Sequence, residues 1–186
     1  MIDSARFWAI VQIVLFIFQF INMKKLFFAA ILCVPFFSQP VFAQSSGLSP
    51  ILTAYYQVKD ALVAGDAKTV ATAAGGMFKA INGVDMTALA PKDHQVFMAL
   101  QDKLAYDSRH ISESTDINHQ REHFTSLSAN LFKLAKQARL SDQPIYEDYC
   151  PMKKAYWLSS DAAIKNPYFG SSMLTCGKVS TTLKPE

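Results

Sequence analysis

The chain has 186 residues, a formal net charge of +3 and 51% hydrophobic residues, enough for one domain with additions. The basicity belongs largely to the front. Removing residues 1–43 takes away Arg6, Lys24, Lys25 and Asp3 and leaves +1, which excludes an electrostatic case for nucleic-acid binding.

Residues 23–43 have the layout of a secretory signal peptide. Met23 is followed by the basic pair Lys24 and Lys25, the apolar run LFFAAILCVPFF, and SQPVFA with Val41 and Ala43 at the positions a signal peptidase reads. Cleavage after Ala43 predicts export to the periplasm. Cys33 lies inside the apolar run and follows Leu32, not the small residue that lipidation requires. Residues 1–22 contain FWAIVQIVLFIFQF, short of the roughly 20 residues that span a bilayer core. Because a complete leader begins at Met23, residues 1–22 are read as an upstream segment from a misassigned start.

Residues 44–48 form a flexible lead-in to a helical region over 49–140. Ser49-Pro50 reads as an N-cap with proline at the first helical position. Ile51, Leu52, Tyr55, Val58, Leu62 and Val63 recur at helical spacing up to a stop at Gly65. Asp66 caps a second helix whose inner stripe is Val70, Ala73, Ala74, Met77, Phe78 and Ile81. Gly75-Gly76 weakens it or admits a close neighbour, and Asn82-Gly83 ends it. A third helix runs from Pro91 to Ser112, with Phe97, Leu100, Leu104 and Ile111 inward. A fourth, capped by Asp116, runs from Ile117 to about Arg139 with Ile117, Phe124, Leu127, Leu131, Leu134 and Ala138 inward. Short connections favour antiparallel neighbours, so the expected fold is mainly α, an up-and-down four-helix bundle.

Residues 141–186 lose the helical period. IYEDY, AYWLS and MLTCGKVSTTL read as short extended pieces, with turns at Asn166-Pro167 and Phe169-Gly170. This is a small irregular or β-rich C-terminal appendage, expected to pack on the bundle through Tyr156, Trp157, Tyr168 and Phe169.

The chemistry concentrates in that appendage. Cys150-Pro-Met152 and Met173-x-x-Cys176 are rough mirror images. Thiolates and thioethers are soft donors suited to copper(I), and zinc fits less well because its closed sites seldom use methionine. The other reading is a Cys150–Cys176 disulfide, worth about 3–4 kcal/mol for a loop of this size, with Met152 and Met173 as core gap fillers. Both readings stand on the residues alone. His119 and His123, spaced i, i+4 on the fourth helix, are weaker metal candidates expected on its exposed face. His94 and His110 have no partner in sequence. Arg121, near the apolar stripe, is expected to pair with a carboxylate or cap the appendage. No catalytic motif is present, so no enzymatic role is expected.

AYYQVKDALVAGD, HQREHFTSLSANLF and the block CPM…AYWLS…IKNPYFG…MLTCG together resemble DUF3347, an exported bacterial family of unknown function. Its members occur alone or fused to membrane-fusion subunits of heavy-metal (copper/silver) efflux systems. The resemblance implies a periplasmic helical bundle with a candidate heavy-metal site at Cys150, Met152, Met173 and Cys176. It also implies a non-covalent link to an efflux membrane-fusion subunit as partner. The expected function is copper(I) sequestration or delivery to an exporter. The alternative is a disulfide-stapled interaction module of an envelope complex.

Overall fold

The computed structural model describes residues 47–185. The upstream segment, the leader with Cys33 and the cleavage after Ala43 lie outside the described residues. Four helices follow: α1 (Ser49–Ala64), α2 (Ala67–Asn82), α3 (Pro91–Ser112) and α4 (Ile117–Ala135). A short 3-10 turn, Met86–Ala88, links α2 to α3. None of the described helices is long and apolar enough to cross a membrane.

The helix boundaries follow from local chemistry with two corrections. Leu48, not Ser49, is the N-cap of α1, and no side chain caps that end. Leu48 is fully buried, so its apolar contact takes the position that a serine oxygen was expected to hold. At the other end α4 stops at Ala135, earlier than the apolar period suggests, although Ala138 and Leu140 still bury themselves beyond it. Elsewhere the signals hold. Gly65 sits at φ 78°, its N–H bonded to the Ala61 and Leu62 carbonyls, a left-handed ending that favours glycine. The Asp66 carboxylate accepts from the Lys68 and Thr69 amides, and Asp116 from Asn118. Gly75 and Gly76 serve no close approach, since a Cβ at Gly75 would make only an ordinary 3.8 Å contact and one at Gly76 none.

Each helix packs chiefly on its neighbour in sequence, while α1 and α4 meet sparsely. A tyrosine bridges that gap. Tyr55 of α1 stacks on Phe124 of α4, centroids 5.1 Å apart. Its hydroxyl bonds Ser128 Oγ at 2.7 Å and accepts the Leu158 amide at 3.0 Å. Two helices and the appendage thus share one satisfied buried polar group.

The appendage is a three-stranded antiparallel sheet of order β2-β1-β3, from β1 (Ile145–Cys150), β2 (Ala155–Ser159) and β3 (Lys178–Leu183). IYEDY and AYWLS are strands as expected. MLTCGKVSTTL divides: Gly170–Met173 is a 3-10 turn and only Lys178 onward is strand. The sheet meets α4 through β2, and the 3-10 turn meets α1. Trp157 and Tyr168 are buried there and Phe169 half-buried, whereas Tyr156 is exposed and stacks on Tyr149 instead. Arg121 caps the appendage: its Nε donates to Pro167 O at 3.0 Å, and it also reaches Leu62 O. Beside it Gly170 (φ 56°) is required, because a Cβ would stand 2.9 Å from Val63 O.

Candidate metal-binding site

Cys150 ends β1, the central strand, and is fully buried. Cys176 lies just before β3, the strand paired antiparallel with β1. The antiparallel pairing therefore returns the second cysteine to the first. Both are free thiols, and Cys150 is near enough to push the Cys176 thiol pKa up.

One buried side chain holds the pair together. Asn166, fully buried, donates from Nδ2 to Cys150 Sγ at 3.2 Å and to Cys176 O at 2.6 Å. Its Oδ1 accepts the Tyr168 amide at 2.8 Å, closing the Asn166-Pro167 turn. The Lys153 amide adds a longer bond of 3.4 Å to Cys150 Sγ. Gly177 then lies so close to Trp157 that a Cβ would come within 2.7 Å of its ring. A side chain at Gly177 would push Cys176 away from the indole.

The two methionines are not gap fillers. Met152 is 64% exposed and Met173 40%, which removes the core reading. Met173 nevertheless adjoins the second cysteine, its O accepting from Cys176 N at 3.0 Å. Burial first, then the adjacent Cys150, pushes the Cys176 thiol above the ordinary cysteine range, with the Met152 amide opposing. The donor set therefore suits a soft ion: two neighbouring thiols, with two solvent-facing thioethers close by in sequence. The same adjacency also meets the first requirement of a disulfide.

A buried carboxylate escaped sequence reasoning. Strand β1 carries a bulge between Glu147 and Asp148, which breaks the alternation and turns both side chains inward. Asp148 is fully buried with neither oxygen hydrogen-bonded, opposite Trp157, whose Nε1 is also unpartnered. Burial lifts its pKa to about 7, against the opposing pull of Lys59. The reading of IYEDY as a short extended piece gave no sign of the bulge.

The histidines also depart from expectation. His123 is not on an open face: its side chain is 19% exposed, and its Nδ1 bonds Asp107 Oδ1 at 2.9 Å. His119 lies beside it, ring centroids 4.7 Å apart. His110, dismissed for want of a partner, stacks on His123 with centroids 4.8 Å apart. The signal was available: His110 and His119 stand equally far from the middle of the short Glu113–Asp116 connection, across which α3 packs on α4. His94 stays exposed at the start of α3. A groove of about 650 Å³ between the start of α3 and the ends of α4 and β3 contains none of these residues.

Residues 51–143 match the family model described as Protein of unknown function (DUF3347). The chain belongs to that family. The DUF3347 match takes in the four helices and ends just ahead of β1, so Cys150, Met152, Met173 and Cys176 lie beyond it. No curated protein and no solved structure matches the chain.

Proposed function

We propose that this DUF3347 protein is a non-catalytic, exported metal-binding protein that holds copper(I) between Cys150 and Cys176. Met152 and Met173 serve as exposed auxiliary donors. The single observation that carries the reading is that buried Asn166 ties two free cysteines together, donating to Cys150 Sγ and to Cys176 O. Two thiolates give a monovalent soft ion enough charge without excess. Forming them releases protons, so affinity rises with pH. Exposed methionines beside a buried thiol give the ion a stepwise way in and out. That suits sequestration in the periplasm, or delivery to the membrane-fusion subunit of an efflux system, better than permanent storage. In this reading the helices run up and down, and the appendage carries the site on their open side.

The test is an anaerobic copper(I) titration against a chromophoric chelator. Reduced wild-type protein is expected to take up one equivalent, and Cys176→Ser to lose it. Equal copper retention by the wild type and the double Cys→Ser variant sinks the proposal. The disulfide-stapled interaction module draws on the same neighbouring cysteines. Thiol trapping in cells with and without added copper separates the two, since a staple stays oxidised in both.

A further inference from the structure

We infer that His110, His119 and His123 form a second, separate metal site, selective for a borderline divalent ion such as zinc(II). His119 and His123 share one face of α4 by their i, i+4 spacing, and the short connection after α3 sets His110 opposite them. One ring nitrogen from each lies within 4.8 Å of the other two. Zinc–nitrogen bonds of about 2.0–2.1 Å in a tetrahedral site need nitrogens roughly 3.3 Å apart, a closure that side-chain rotation supplies.

The connection itself is fixed. Fully buried Gln120 donates to Ser114 O at 2.7 Å and Ala67 O at 2.9 Å, tying the turn to the start of α2. Asp107 supplies an independent pointer to a metal. It is 5% exposed and accepts from His123 Nδ1 at 2.9 Å. A carboxylate only accepts, so Nδ1 carries a proton, and in the neutral ring Nε2 is left with the free lone pair. A carboxylate orienting a histidine in this way is the usual outer shell of a zinc-bound imidazole. Three neutral nitrogens favour a borderline divalent ion over the soft monovalent ion of the thiol pair. Tyr106, its ring 4.2 Å from that of His110, covers one side.

Zinc alone is the probe, and nitrogen-15 NMR of the histidine rings in intact wild-type protein is the first readout. Zinc is expected to move the ring signals of His110, His119 and His123 and to leave those of His94 unchanged. The second readout is zinc affinity in the double Cys→Ser variant, where no thiolate competes. His119→Ala should weaken it at least about tenfold, and Asp107→Asn by about 10–100-fold through loss of orientation. If zinc leaves the three rings unmoved, or moves His94 equally, the inference is overturned. It is likewise overturned if His119→Ala binds zinc as tightly as its parent. Neither outcome touches the copper reading, which rests on the cysteines.

Discussion

Asn166→Ala is expected to destabilise the protein by about 3 kcal/mol and to weaken copper(I) binding at least about tenfold with both cysteines still present. The side chain is fully buried and satisfies three groups: Cys150 Sγ, Cys176 O and the Tyr168 amide. Removing it leaves the carbonyl and amide without partners, and each stranded buried group costs about 1–3 kcal/mol. The losses overlap because all three belong to one turn, which keeps the total near the upper end of ordinary point-mutant effects. The binding loss has a separate cause. Asn166 links the end of β1 to Cys176, two residues before β3, so its removal lets the thiols drift apart. Urea denaturation and copper competition on the same preparation test both effects. Wild-type copper affinity in a destabilised Asn166→Ala protein would show that the asparagine does not position the site.

Asp148→Asn is expected to stabilise the protein by about 1–3 kcal/mol above neutral pH. In the folded chain this carboxyl keeps its proton up to about pH 7, against an ordinary aspartate value of 3.8. Between those values the folded state binds a proton that the unfolded state has released, so wild-type stability falls as pH rises across that window. Beyond it the charge is present in both states, and folding must bury it. Asparagine does not titrate, so the difference between variant and wild type should widen from pH 5 to pH 8. Subtracting the two proteins removes the opposite trend of Asp66 and Asp85. Their hydrogen bonds from Thr69 and Thr87 hold their pKa values low, giving stability that disappears as pH falls. Urea midpoints at the two pH values measure the difference; a constant gap would mean that Asp148 is already hydrated.

The helices were legible because their buried stripes obey a strong period and their ends carry explicit signals. Phe97, Leu100, Leu104 and Ile111 are all buried as read, as are Phe124, Leu127, Leu131 and Leu134. Phe78 and Ile117 stay only half-buried. Ser49 misled because capping propensity competes with burial, and Leu48 wins by filling the core. The strands IYEDY and AYWLS were legible from composition, but their consequences were not. A bulge carries no local residue signature here, so Asp148 could not be placed.

The two clusters divide in the same way. Cys150 and Cys176 were singled out by chemistry, yet only the β1–β3 pairing brings them together. Asn166 was legible as a turn residue but not as the bridge between them. For the histidines the local rule was sufficient for His119 and His123. His110 and Asp107 needed the packing of α3 on α4. In each case the local pattern named the donor and tertiary pairing supplied its partner.

X-ray absorption at the copper edge of anaerobically loaded protein is the most direct measurement of the central claim. A first shell of sulfur alone, lost in both Cys150→Ser and Cys176→Ser, is the predicted result. A shell of nitrogen and oxygen, or a sulfur shell that survives both substitutions, would contradict it.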